Sequence, residues 1–413
     1  MIDKTSLIFT GDIGFDKYMD KMWKDDNLVS DEVLSYLKSA DHLVINVEGP
    51  LSSGETGSSE TGAKALIHSM DPQVASFFDK IGADVWNICN NHIMDAGEKG
   101  IKDTLDIAKK RGVLTLGAGM NIDEAKAPII FPEAGGIGLV AAGYERACRQ
   151  AGEDSPGCIN FSRMDIIKEQ IEHVKKTCRW CIVVAHDGEE FTALPMPYTR
   201  DRYIEYLDMG ADIVVAHHPH VPMNYETFKT ENEKLVSINS EDFKSIMAGG
   251  SDKKIDKAIF YSLGNFIFDT DYQRSQFNTD KGLFLKLNFT EDHFEFEPFG
   301  IRIDRETEHV IAGEIPDIFE NVCEDDYMKL LPLAAKMFIE NTKRQLKYLK
   351  PDVFNSALEE DYKNNFFEPL RSGRVPGKVL DFQIVYPLSL KYDEKDIKLC
   401  KLDKVIQFMK DQL

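Results

Sequence analysis

His218-Pro219-His220 follows the apolar run Ile213-Val214-Val215-Ala216, with only His217 between them. In extended chain, residues i and i+2 face the same side. Pro219 fixes its own φ and biases His218 towards the extended region. Both imidazoles are therefore expected to project one way from a strand end. Neutral imidazoles are common metal ligands, and ligand sites in α/β sheets lie at the carboxyl ends of strands. Alone, the H-x-H spacing is a weak signal and describes two surface histidines more readily than a metal site.

Other strand-like runs end the same way. Ser6–Thr10 leads into Gly11-Asp12, and His42–Ile45 into Asn46-Val47-Glu48-Gly49-Pro50. Asp84–Cys89 leads into Asn90-Asn91-His92 with Asp95 and Gly97 beyond, and Trp180–Ala185 into His186-Asp187-Gly188-Glu189-Glu190. Abrupt passage from apolar residues to carboxylate, carboxamide or imidazole is the pattern of a buried parallel strand with function at its C-terminal edge. Each cluster has a plainer reading: Asp12 as a cap, Asn90 and Asn91 as an Asx-turn, His186 as a satisfied core histidine. Their coincidence favours one shared site. Asp12 and Glu48 offer hard oxygen, Asn91 a carboxamide oxygen, and His186, His218 and His220 nitrogen. That mixed set without thiolate suits one or two divalent ions (Mn, Fe, Zn or Mg) rather than a structural zinc.

With Tyr261-Ser262-Leu263-Gly264-Asn265-Phe266 added, these motifs and their order over roughly residues 5–270 resemble the CapA-type proteins of poly-γ-glutamate capsule synthesis. That family looks like divergent calcineurin-type metallophosphoesterases. The resemblance implies a two-sheet α/β/β/α sandwich and a two-ion centre bridged by Glu48. Asn91, His186 and His218 would hold one ion, Asp12 and His220 the other. His92 would take the place of the proton donor, a role wanting a pKa near neutrality; Asp95 would orient it, or cap the helix that follows. Glu190 and Asn265 are the candidate substrate contacts. One departure stands out, since Gly14 occupies the position at which the resemblance implies a histidine.

The elements that must position these residues alternate strand and helix up to residue 220, with helices expected over Ser30–Ala40, Pro72–Ile81, Gly97–Arg111, Arg163–Thr177 and Thr199–Met209. Beyond residue 258, Ala258–Leu263, Gly282–Asn288 and Phe294–Arg302 read as a meander forming the second sheet. The expected division is a core over 1–315 and a mostly helical extension over 316–413 that includes Tyr327–Leu349, the strand-like Ile384–Leu390 and a helix near Asp403–Lys410. Ser52–Gly62 reads as a solvated loop or a lid, and Asn232–Lys257 as a surface insertion.

The chain has 413 residues, 43% of them hydrophobic and 29% charged, enough for a sizeable core. Its net charge of −21 argues against nucleic acid or an anionic membrane as partner of the surface at large. Seven cysteines, an odd number, exclude a complete disulfide framework and favour a reducing compartment. Cys178-Arg179-Trp180-Cys181 lacks the second pair of a zinc motif. No run reaches the ~18 apolar residues of a membrane span, and Met1-Ile2-Asp3-Lys4 leads directly into the first strand. A cytoplasmic setting is expected, or an extracytoplasmic one had an N-terminal anchor been removed. The expected activity is metal-dependent hydrolysis of a phosphoester or an amide or peptide-like bond in a small molecule or polymer, with capsule synthesis proteins as partners. The rival reading is a non-catalytic metal- or polymer-binding subunit.

Overall fold

The computed structural model describes residues 4–53, 67–143, 149–249, 254–349 and 394–413. Much of Ser52–Gly62 and all of Ile384–Leu390 therefore lie outside the described residues.

Two sheets face each other. The first runs in the order His309–Ala312, Phe294–Asp304, Lys281–Phe289, Thr5–Ile13, His42–Val47, Val85–Asn87, Leu114–Leu116, with Asn265–Ile267 also paired to Thr5–Ile13. The second runs Lys234–Ser237, Tyr225–Glu231, Lys257–Phe260, Ile213–His217, Trp180–His186, Ile137–Ala142, Ile129–Phe131. The strands carrying the polar clusters are parallel to one another within each sheet, although Thr5–Ile13 also pairs antiparallel with Lys281–Phe289. Their residues are buried on both faces, which is why they read as unbroken apolar runs.

Helices cover the outer faces. Met164–Lys175 lies on Ile137–Ala142 and Trp180–His186, Pro197–Asp208 on Ile213–His217, and Gly97–Arg111 on Leu114–Leu116. Gly138 permits the first of these contacts, because a Cβ there would meet Val174 at 2.2 Å. The sheets are tied to each other by polar bonds as well as by apolar packing. Trp180 Nε1 donates to Thr290 O at 2.8 Å, and His217 Nε2 lies 2.9 Å from Thr10 O.

Three details differ from expectation. The residues after 258 do not build the second sheet by themselves: Lys257–Phe260 joins it, whereas Lys281–Phe289 and Phe294–Asp304 extend the first beyond Thr5–Ile13. Alternation marks a strand but not the sheet that accepts it. The insertion over residues 232–257 contains an edge strand, Lys234–Ser237, and a helix, Ser240–Met247, capped by the Asn239 side chain. Cys158 is disulfide-bonded, which the expectation of reduced cysteines did not include. Cys178 and Cys181 are free and buried.

The C-terminal part has its own apolar cluster. Leu330, Leu333, Met337 and Phe338 of the helix Glu324–Leu349 meet Val405, Ile406 and Met409 of Asp403–Lys410. The cluster also takes in Leu194 and Met196, from the loop that follows His186-Asp187-Gly188-Glu189-Glu190. Tyr327 Oη donates to Pro195 O at 2.9 Å, and Asn341 Nδ2 to Phe191 O. No helix among the described residues is long and apolar enough to cross a membrane.

Candidate functional site

Register brings the strand ends to one level. Asp12 stands opposite Asn46 on one side and Asn265 on the other; Asn46 stands opposite Asn87, and His217 opposite His186. A carboxamide ladder follows: Asn87 Nδ2 donates to Asn46 Oδ1 at 2.8 Å, and Asn46 Nδ2 to Asp12 Oδ1 at 2.8 Å. Asn46 Nδ2 also lies 3.3 Å from His186 Nδ1. This ladder fixes the Asp12 carboxylate before any ligand arrives. Sequence reasoning gave neither asparagine a role, although Asn46 ends an apolar run and Asn87 interrupts one.

Asp12, Glu48, Asn91, His186, His218 and His220, separated by as much as half the chain, come together in one buried place. Asn91 Oδ1 is 2.9 Å from His186 Nε2. Glu48 Oε1 is 3.7 Å from His186 Nε2 and 3.5 Å from His220 Nε2. Asp12 Oδ2 is 3.2 Å from His220 Nδ1. The His186 and His218 ring centroids are 5.1 Å apart. Ligand atoms of Glu48, His218 and His220 lie within 4.8 Å of one another, as do those of Asp12, Glu48 and His186. Glu48 is common to both groups.

The H-x-H pair reaches this place by another route than strand alternation. The strand stops at His217, and His218 and His220 have φ of +98° and +58°. Non-glycine residues adopt such backbone only where the surroundings impose it, at a cost of about 1–3 kcal/mol each. Gly188, with φ of +123°, lies against Pro219 of the same turn.

The site fits a divalent cation on its own chemistry. Glu48 is fully buried, and neither carboxylate oxygen has a hydrogen bond among the described residues. Burial, with Asp12 and Glu190 nearby, pushes its carboxyl well above the usual range. Burial holds His186 well below the ordinary imidazole value, and His218 likewise. Burial also opposes charge on His220, but Glu48 and Asp12 beside it outweigh that and raise it to about 10. Neutral His186 and His218 imidazoles beside a buried carboxylate without hydrogen bonds among the described residues are what a metal ion needs. In chelator, Glu48→Gln is therefore expected to raise the melting temperature by about 1–3 °C. The same variant should lose the stabilisation that added metal gives the wild type. A lower melting temperature for the chelated variant would show that the carboxylate is satisfied in some other way.

His92 and Asp95 sit alongside. His92 Nδ1 is 2.7 Å from Asp95 Oδ2, and the helix Gly97–Arg111 takes no side-chain cap from Asp95. Burial and the neighbouring His68 hold His92 down to about 4, although Asp95 favours its charged form. That differs from the near-neutral value expected, because the imidazole is desolvated among other imidazoles. Asn265 Oδ1 is 3.0 Å from His220 Nδ1, and its amide nitrogen donates to Thr279 O at 2.9 Å. Fully buried, it holds His220 in place. Glu190 is partly buried and accepts from Tyr272 Oη at 2.9 Å and from Gln345 Nε2 of the C-terminal helix at 3.4 Å.

Gly14 has a structural counterpart. A Cβ at Gly14 would meet Phe268 Cε2 at 2.3 Å, and the Phe268 ring stacks on His220 at 4.9 Å between centroids. An aromatic ring fills the space into which a side chain at position 14 would grow. Sequence gave no sign of this, nor of His68, whose ring centroid lies 4.2 Å from that of His92.

Residues 6–270 match the family described as "Bacterial capsule synthesis protein PGA_cap". The "Capsule biosynthesis protein CapA" of Bacillus anthracis is 26% identical over 283 residues, covering 66% of this chain but 62% of its own length. The "PGA biosynthesis protein CapA" of Bacillus subtilis (strain 168) is 26% identical over 306 residues, 72% of each chain. Among solved structures, a Thermus thermophilus protein has a TM-score of 0.32 at 8% identity, covering 72% of this chain and 99% of that one. A purple acid phosphatase from yellow lupin (Lupinus luteus) seeds has a TM-score of 0.33 at 10% identity, covering 78% of this chain and 55% of that one. With the match extending over residues 6–270, from the Asp12 strand to the turn that carries Asn265, the chain belongs to the bacterial capsule synthesis protein PGA_cap family.

Proposed function

We propose that this protein is a metal-dependent hydrolase of the CapA type, acting on a phosphoester or an amide or peptide-like bond in capsule or cell-envelope polymer metabolism. One observation supports it above the others: a buried Glu48 with no hydrogen bond among the described residues stands among His186, His218 and His220, beside an imidazole held by its own carboxylate. Asp12, Glu48, Asn91, His186, His218 and His220 would hold the metal. When bound, a divalent ion supplies Lewis acidity and neutralises charge developing on the scissile group.

The rest falls to the chain's own residues. Asp95 accepts Nδ1–H of His92 and so leaves Nε2 as the atom that moves a proton. Neutral at rest, His92 takes a proton from the attacking water and returns it to the leaving group. Phe191 and Phe268, both ring-stacked on His220, keep water from that side of the site. Glu190, anchored by Tyr272 and Gln345, is a candidate substrate contact, and through Gln345 it ties the C-terminal helix to the site.

The Phe268 ring packed on Gly14 favours a second reading, a binding subunit with fewer ligands than a two-ion centre needs. A panel of aryl phosphoesters and glutamyl amides, offered to metal-loaded protein, separates the two. Turnover that stops on chelation and returns on metal addition is the expected result. Full metal content with no turnover on either class would favour the binding subunit.

A further inference from the structure

Beside the His92–Asp95 pair stands a second imidazole–carboxylate pair that the proposed mechanism does not use. His68 Nδ1 is 2.7 Å from Asp16 Oδ2. His68 N donates at 2.8 Å to Asp95 Oδ2, the same oxygen that holds His92. The His68 ring meets His92 edge-on at 4.2 Å and 79°, and Phe268 at 4.9 Å. His68 is 7% exposed and the His92 side chain 12%, whereas Glu48 and His186 are completely buried. The two imidazoles therefore form the shallower side of the site, which a substrate meets first.

The placement is built in by the backbone. Gly49, next to Glu48, has φ of +115°, and a Cβ there would lie 2.7 Å from His68 O. Only glycine lets the His68 segment lie this close to the Glu48 turn. The segment is pinned on its far side, where Met70 N donates to Pro50 O at 2.9 Å and Ser52 N to Met70 O at 3.0 Å.

Each carboxylate accepts the Nδ1–H of its imidazole, so each neutral ring offers Nε2 as an acceptor. Neither Nε2 has a hydrogen bond among the described residues. Two neighbouring acceptors cannot satisfy one another; they call for a group that carries polar hydrogen. The nitrogen of an amide leaving group carries one, and the bridging oxygen of a phosphoester or carboxylic ester does not.

We propose that His68 is a substrate-contacting residue, its Nε2 accepting a hydrogen bond from the N–H of an amide leaving group beside His92. This rests on the hydrolase reading and narrows it to amide-type bonds.

The test uses the full-length, metal-loaded protein and two probes: γ-glutamyl-glutamate and its depsipeptide analogue, with oxygen in place of the amide nitrogen. By calorimetric titration, wild type is expected to bind the amide about tenfold more tightly than the ester, the scale of one hydrogen bond. His68→Phe keeps the ring contacts and the main-chain bond to Asp95 but lacks Nε2. It should bind the two probes within about twofold of each other, at unchanged metal content. His68→Gln, with a carboxamide oxygen as acceptor, should restore part of the preference. A preference that survives in His68→Phe overturns the assignment and leaves the hydrolase reading standing, as does an equal loss of affinity for both probes. Failure of wild type to bind either probe overturns the assignment and leaves the phosphoester form of the hydrolase reading to its own chelation test.

Discussion

His186→Ala and His218→Ala are each expected to lower metal affinity on the order of 10²-fold or more. Removing a residue that merely orients a ligand typically costs 10–100-fold, and deleting the donor itself should cost at least as much. His186 and His218 belong to the two groups that share Glu48, so each deletion strips a nitrogen from that carboxylate's surroundings. His217→Ala is the control. Adjacent in sequence and equally buried, His217 directs Nε2 to Thr10 O across the sheets, away from Glu48. It should lose stability and keep metal. Elemental analysis and competition with a chelating dye measure both quantities. Unchanged metal content in His186→Ala and His218→Ala would remove the metal centre, and the hydrolase reading with it.

The second large effect concerns His92. If it carries the proton, His92→Ala should lower kcat by roughly 10²–10⁴-fold with metal content intact. The loss should shrink for aryl leaving groups, which scarcely need protonation, and stay large for alkyl or amine leaving groups. Asn91→Ala, one residue away, should lose metal as well as rate, because Asn91 Oδ1 faces His186 Nε2 at 2.9 Å. Such divergence between adjacent residues is hard to obtain from general destabilisation. A His92→Ala protein with full activity towards poor leaving groups would take His92 out of the mechanism.

Which residues would gather in the site was legible because it is written locally. A buried parallel strand needs several apolar residues in succession, and the first polar residue after them marks its C-terminal edge. Asp12, Glu48, Asn91, His186 and the H-x-H pair all lie at or within a few residues of that mark. Helix ends were legible for a similar reason: Gly97–Arg111 and Asp403–Lys410 have the expected bounds. By contrast, the helix Pro197–Asp208 begins two residues ahead of the expected Thr199, since proline suits the first helical turn.

What the sequence by itself determined is the kinds of strand and the residues at their ends, and hence carboxylate, carboxamide and imidazole side chains at the carboxyl ends of parallel strands. Tertiary structure decided the rest. It gave Lys281–Phe289 and Phe294–Asp304 to the first sheet, and it turned His218 and His220 inward through positive φ rather than alternation. Asn265 came to rest on His220, the Phe268 ring in the space beside Gly14, and His68 against His92. Each of these is a contact between residues far apart in the chain, fixed by which surfaces remain to be buried once the sheets have met. Local pattern states that a residue will be buried or polar; only the assembled packing selects its partner.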